Sequence, residues 1–313
     1  MAFKILASTE NMPYPEWLEW RKKGIGGSDA SVVCGISRYK SPVELWLDKT
    51  DQIPSAEAGE AAYWGTLLES VVRTEFSKRT GIEVQCVNQL LQSEEHPCML
   101  ANLDGVCTHP EYGDCVFEAK TASAYKSGEW DDAIPDEYQL QIQHYLAVTG
   151  YKGAYIAVLI GGNTFRWKFI ERDEELIAML INLEENFWNC VQTNTPPPMD
   201  GSDASARFLT ERFPDSVPKS QITLPDTAVE LLQQYDAACE QLNIATEKKQ
   251  YAENLLKEMM GNNEIGTVGD RVITWKSVVQ ERLDSKTLKA EHPALCKKYT
   301  VKNTYRRFSI KAS

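Results

Sequence analysis

Val116-Phe117-Glu118-Ala119-Lys120, read with Asp104-Gly105 upstream, decides how this chain is organised. Side chains alternate faces along a strand, so Glu118 and Lys120 share one face while Phe117 and Ala119 point to the other. Burying two charged groups between apolar neighbours is costly unless partners answer them. A metal ion and an ionised phosphate would be such partners. His109-Pro110-Glu111-Tyr112-Gly113-Asp114 is turn chemistry, so Met99–Cys107 and Val116–Thr121 are expected to form a hairpin with Asp104 on the strand facing Glu118. Two carboxylates offering only oxygen suit Mg2+, with Mn2+ expected to substitute. Such an ion activates a water and stabilises a departing oxygen. Lys120 would orient that water or neutralise charge on the phosphate.

Outward from this stretch the pattern is a mixed one. Trp17, Trp20 and Arg21 lie at helical spacing ahead of Gly24-Ile25-Gly26-Gly27-Ser28-Asp29, where Ser28 is expected to cap the next helix. Ser41-Pro42-Val43-Glu44 is a capping box. Residues 60–80 read as a helix with Leu68, Val72 and Phe76 on one face, ended by Gly81. Tyr138–Thr149 reads as a helix closed by Gly150, and Tyr155–Ile160 as a buried central strand. Gly161-Gly162-Asn163 turns it into Phe165–Ile170, and Asp173 caps a helix to about Cys190. The fold class expected is α/β: a restriction-endonuclease-like core with a central mixed sheet flanked by helices, plus a C-terminal helix and β-hairpin extension. The core is assigned to residues 1–195. Residues 196–222, rich in Pro, Asp and Ser, read as a linker. In residues 223–313, Thr227-x-x-Glu230 opens a long helix ending before Gly261, Gly269-Asp270 marks a hairpin, and a basic tail follows.

Composition narrows the classes. The 313 residues are 42 % hydrophobic with no apolar run long enough to span a membrane, so a cytoplasmic protein is expected. The net charge of −12 argues against a general DNA-coating protein, although Arg282–Lys311 holds nine Lys or Arg against two acids. The eight cysteines form no Cys-x-x-Cys pair and read as reduced thiols, mostly packed in the core. The four Trp in the first 65 residues also read as core. His96, His109, His144 and His292 lack zinc-ligand spacing, and Gly24–Asp29 follows a helix and fails the dinucleotide fingerprint at Asp29. Cys190, Cys239 and Cys296 are too scattered for an iron–sulfur centre.

Asp followed by Glu-x-Lys across a hairpin is the signature of the PD-(D/E)xK nuclease superfamily, although Glu-x-Lys also arises by chance on solvated strands. Glu69 is a candidate third metal ligand, and equally an i,i+4 ion pair with Arg73 worth a few tenths of a kcal/mol. Gln141 and Tyr145 lie four apart on one helix face, which also suits a simple polar face.

Trp17–Arg21, Gly24–Asp29, Trp64-Gly65-Thr66-Leu67-Leu68-Glu69, Ala101–Gly105, Phe117–Lys120 and Tyr138–Tyr145, in that order, resemble the lambda-exonuclease and YqaJ-type viral recombinase family over roughly residues 15 to 190. The resemblance implies a processive 5′-to-3′ exonuclease that degrades one strand of linear duplex DNA. The 3′ single-stranded tails it leaves would pass to a single-strand annealing protein of the RecT or Bet kind. It also implies a homo-oligomer, a trimeric ring in the best-known member. By resemblance, Asp104 and Glu118 are metal-binding acids, Lys120 is the catalytic lysine, Glu69 is the helical acid beside the metals, and Gln141 lies near metals and substrate. Arg21 and Ser28 match residues that hold the terminal 5′-phosphate, which suits a guanidinium and a hydroxyl at a helix start. Asn102 and Lys126 fall near further phosphate contacts, and Tyr145 joins the same DNA-binding set. Leu103 stands where the superfamily often has Pro. The competing readings are a catalytically inactive DNA-end or recombinase-binding module and an endonuclease of the same superfamily. The intact Glu69–Asp104–Glu118–Lys120 set favours the exonuclease.

Overall fold

The structure, a computed structural model, describes residues 2–53, 59–301 and 305–311; Lys302 of the basic tail lies outside them. The chain forms two compact units, Met1–Phe213 and Pro214–Ser313.

The first unit runs β1 (Phe3–Ser8), α1 (Tyr14–Arg21), β2 (Ile25–Gly26), α2 (Gly27–Val33), α3 (Pro42–Lys49), α4 (Glu60–Thr80), β3 (Val84–Gln85), β4 (Gln89–Ser93), β5 (Met99–Asn102), β6 (Gly105–His109), β7 (Gly113–Ala122), α5 (Asp136–Thr149), β8 (Gly153–Ile160), β9 (Thr164–Glu171), α6 (Glu174–Gln192) and α7 (Asp203–Arg212). A five-stranded sheet has the order β3-β6-β7-β8-β9. All its pairs are antiparallel except β7–β8, which α5 joins by a crossover. Its two faces follow from alternation on β7. Phe117 and Cys115 pack with Val72 and Phe76 of α4, while Val116 packs with Ile142 and Leu146 of α5. This is the central mixed sheet flanked by helices that the sequence implies.

Three expectations need correction. Met99–Cys107 is not one strand. Its first half, β5, lies in a second sheet of order β1-β4-β5-β2, and only β6 pairs with β7. The chain changes sheets at Leu103–Asp104, so Asp104 stands at the seam and not on the strand facing Glu118. Residues 196–222 are not all linker. Ser202 caps α7, whose Ala204 and Phe208 are buried, Phe208 packing with Val43 and Trp46 of α3. And Ser28 is not the cap of α2. Gly26 holds that place, with its N–H donated to Asp29 Oδ2 at 3.1 Å.

The punctuation elsewhere is as the residues dictate. Ser41 and Glu44 exchange the two bonds of the capping box (2.7 and 3.2 Å). Gly81 and Gly150 close α4 and α5 at φ of 75° and 72°, where a side chain would be strained. The eight cysteines are free, but only Cys98, Cys107 and Cys115 are buried. Of the four early Trp, only Trp46 is fully buried, and Trp64 is 47 % exposed.

The second unit carries α8 (Thr227–Met260), a hairpin of β10 (Ile265–Val268) and β11 (Arg271–Thr274), α9 (Ser285–Glu291) and α10 (Pro293–Tyr299). Met260 is its one fully buried side chain among the described residues. No helix among the described residues is long and apolar enough to cross a membrane.

One charged pair ties the layers together. His144 of α5 bonds through Nδ1 to Glu184 of α6 at 2.9 Å and through Nε2 to the Leu100 carbonyl of β5 at 2.8 Å, with both side chains fully buried. Acceptors on both ring nitrogens call for two N–H groups. Burial opposes the charge, but Glu184 and the Leu100 carbonyl outweigh it, so the His144 pKa is raised above 6.5. Replacing Glu184 with Leu should cost about 3–5 kcal/mol, because it strands a buried cation. The deficit, read from denaturant titrations, should be full below the ordinary histidine pKa and shrink as pH rises through the raised value. A chain ending at Phe213 should unfold in one cooperative transition, because the four hydrophobic clusters lie within it.

Candidate active site

β7 delivers Glu118 and Lys120 to the α5 side of the central sheet, just beyond Val116. Glu118 is 2 % exposed. Its Oε1 accepts from Lys120 Nζ at 2.7 Å and from Gln141 Nε2 at 2.6 Å. Gln141 Oε1 accepts from Lys120 Nζ at 3.0 Å, closing a triangle, and Gln141 Nε2 also bonds the Tyr145 hydroxyl at 3.1 Å. Gln141 and Tyr145 are therefore not a solvated face. Both are buried against β7. The Tyr138 ring lies 4.9 Å from the Lys120 amine. Sequence reading did not single out Tyr138, although it stands three residues before Gln141 and seven before Tyr145 on the same face.

Asp104 reaches the cluster from the seam between β5 and β6. Its Oδ2 accepts the Ala119 N–H at 2.8 Å, which fixes the carboxyl beside β7. Glu69 comes from α4 and bonds Arg73 at 3.1 Å, and the same Arg73 Nη1 donates to the Asp104 carbonyl at 3.1 Å. The i,i+4 pair therefore exists, and it is also the link that ties α4 to the seam.

The electrostatics are those of acids crowded together. Burial first, then the Asp104 charge, pushes Glu118 up to about 8. Burial and Asp104 likewise push Glu69 to about 7. Burial holds Asp104 above its ordinary value despite Lys120. For Lys120, burial favours the neutral amine, but Glu118 and Asp104 overcome it and raise its pKa. Two buried acceptors, Glu118 Oε2 and Asn102 Oδ1, have no hydrogen-bond partner among the described residues. An unmet buried acceptor costs about 1–3 kcal/mol. An oxygen-only donor set with an unanswered carboxylate oxygen fits a hard divalent cation, with Asp104 and Glu118 as the side chains placed to hold it. Among the described residues no three His, Cys, Asp or Glu side chains gather into a cage, and Glu69 is engaged by Arg73.

A cavity of about 470 Å³ opens over this cluster. Asp104, Glu118, Lys120, Glu69, Asn102 and Gln141 line it, together with Arg21, Ser28 and Tyr145. Arg21 ends α1 and donates from Nη2 to Ser28 Oγ at 3.0 Å and to Asp29 Oδ1 at 2.7 Å. Lys126 is the one candidate not brought in. Its amine is 3.5 Å from the Tyr39 hydroxyl, and it lines a separate surface pocket.

Comparison with known proteins gives consistent relatives. A family model described as the YqaJ-like viral recombinase domain matches residues 16–152. An uncharacterized protein YqaJ of Bacillus subtilis (strain 168) is 42 % identical over 313 residues, covering 98 % of this chain and 97 % of the relative. An uncharacterized protein R354 of Acanthamoeba polyphaga mimivirus is 30 % identical over 146 residues, covering 43 % of this chain and 26 % of its own. Among solved structures, an alkaline exonuclease from Laribacter hongkongensis aligns at 21 % identity and TM-score 0.45, covering 63 % of this chain and 97 % of its own. A phage-related exonuclease from Haemophilus somnus 129PT aligns at 12 % and 0.42, covering 57 % and 99 %.

Close approach of α2 to α5 sets the position of Gln141. A Cβ at Gly27 would stand 2.4 Å from the Tyr145 ring. Gly27→Ala should therefore displace the tyrosine that Gln141 bonds, costing about 1–3 kcal/mol by overpacking. Thermal denaturation of the variant beside the parent chain checks this.

Proposed function

This chain belongs to the YqaJ family, and on that premise and the geometry of the site we propose that it is a Mg2+-dependent nuclease that degrades one strand of linear duplex DNA from the 5′ end. The observation that carries the reading is Glu118: a buried carboxylate with one oxygen unmet, bonded to Lys120, beside Asp104, in a cavity that Arg21 also lines. Asp104 and Glu118 would hold the ion, with water and substrate oxygens filling the rest of its shell. When bound, Mg2+ supplies Lewis acidity and a water of lowered pKa.

The remaining work falls to the chain. Lys120, fixed by Glu118 and Gln141, presents a cation where negative charge builds on the scissile phosphate. Gln141 holds Glu118 and Lys120 in register, and Tyr145 holds Gln141. Glu69 keeps Arg73 in place at the seam. Arg21 and Ser28 would receive the terminal 5′-phosphate, the guanidinium by charge-assisted bonds from Nε or Nη1. That stop distinguishes an exonuclease from an endonuclease. The 3′ tails left behind suit a single-strand annealing protein as the next to act.

Purified protein with Mg2+ should digest linear duplex carrying a 5′-phosphate and leave covalently closed circles intact. Cleavage of closed circles would sink the exonuclease reading. Lys120→Ala should lower the cleavage rate by at least about 10²–10³-fold while duplex binding persists. Full activity in that variant would remove Lys120 from the mechanism.

A further inference from the structure

Arg21 stands apart from the Glu118 cluster, and its setting includes Trp17, Asp29 and Lys49, which the proposed reaction does not use. Its guanidinium lies 5.1 Å over the Trp17 ring. Nη2 spends its two N–H groups on Ser28 and Asp29. A guanidinium has five N–H donors, so the Nε–H and the two Nη1 N–H groups, which have no partner among the described residues, remain for a ligand. Asp29 is 5 % exposed. Its Oδ2 accepts from Lys49 Nζ at 2.8 Å, and the same Nζ donates to the Arg21 backbone carbonyl at 2.7 Å. The Lys49 side chain is 3 % exposed, and its amine is engaged by Asp29 and the Arg21 carbonyl.

Lys49 thus grips Arg21 at both ends, through its backbone and through the carboxylate that holds its guanidinium. The charge count gives this arrangement its effect. Asp29 facing Arg21 alone would form a neutral pair and would favour two parallel bonds, engaging a second guanidinium nitrogen and leaving fewer donors for a phosphate. Lys49 answers one carboxylate oxygen; burial lowers its pKa against the pull of Asp29, and in its protonated form it leaves the trio with one net positive charge. Burial opposes the Asp29 charge, yet Arg21 and Lys49 keep its carboxyl well below the usual range. A second cavity of about 380 Å³, lined by Arg21, Ser28, Asp29 and Lys49 together with Lys120 and Gln141, adjoins the first.

We propose that Asp29 and Lys49 are positioning residues that keep the Nε and Nη1 donors of Arg21, and its charge, available to the terminal 5′-phosphate of a DNA strand. This rests on the reading of Arg21 as the phosphate-holding residue. Neither residue touches the phosphate. A buried ion pair contributes little net stability compared with apolar packing, so stability alone does not account for a fully buried lysine here.

The test is binding of short blunt duplexes with 5′-phosphoryl or 5′-hydroxyl ends to the full-length chain in EDTA, read by fluorescence anisotropy. The wild type should bind the phosphorylated duplex about 10-fold more tightly, the equivalent of one good charge-assisted contact. Lys49→Met should bring that ratio to about 1–3 without weakening binding of the hydroxyl duplex. If Lys49→Met does not fold, Lys49→Gln, which keeps a donor toward Asp29 but drops the charge, should show the same loss. A ratio unchanged in the folded variant, equal weakening of both duplexes, or no preference in the wild type would each overturn the inference. Digestion of linear duplex with Mg2+, assayed separately, judges the nuclease reading. A wild type that prefers the 5′-phosphate but never cuts would refute catalysis and leave the Lys49 arrangement standing.

Discussion

An acid sits where the interior of a sheet would normally place a valine, and much of the first unit is arranged around it. Glu118 follows Val116 on the same face of β7, opposite Ile156 in the parallel register with β8. Leaving that carboxylate without partners would cost several kcal/mol. The answer comes from Lys120 two residues on and Gln141 from the crossover helix, while Asp104, its carboxyl held at the seam by the Ala119 N–H, sets a second acid beside it. Helix α5 must approach β7 closely enough for a glutamine side chain to reach. That approach in turn requires Gly27 opposite Tyr145.

Local chemistry made part of this legible in the sequence. Strand alternation alone put Glu118 and Lys120 together. The Ser41–Glu44 box, the αL glycines at 81 and 150 and the 265–274 hairpin are each decided within a few residues, so a sequence pattern contains them. The passage of the chain between sheets at Leu103–Asp104 is different. Met99 to Cys107 is apolar enough to be one strand, and only long-range pairing of β5 with β4 and of β6 with β7 separates the halves. Residues 203–212 misled for a related reason. Their flanks have linker composition, and what makes them a helix of the core is Phe208 meeting α3 at a distance no local window can see. The cap at Gly26 hid behind Ser28, because Asp29 supplies the side-chain oxygen from inside the helix.

The site itself was partly legible. Gln141 and Tyr145 suit a polar face until α5 is laid on the sheet, whereupon that face becomes the inner wall of the cavity. Asp29 and Lys49 carried no signal, since a buried lysine looks like any other lysine in a chain. Arg73 was visible only as half of an ion pair, and its bond to the Asp104 carbonyl depends on the α4–seam contact.

The seam at Asp104 also bears on the order of events during synthesis. Arg21 leaves the ribosome early and Tyr145 late, and the carboxylates between them are brought to working distance only once both sheets exist and α5 has docked. Contacts of such sequence separation form late in folding. A partly made or partly unfolded chain therefore lacks the assembled acid cluster altogether.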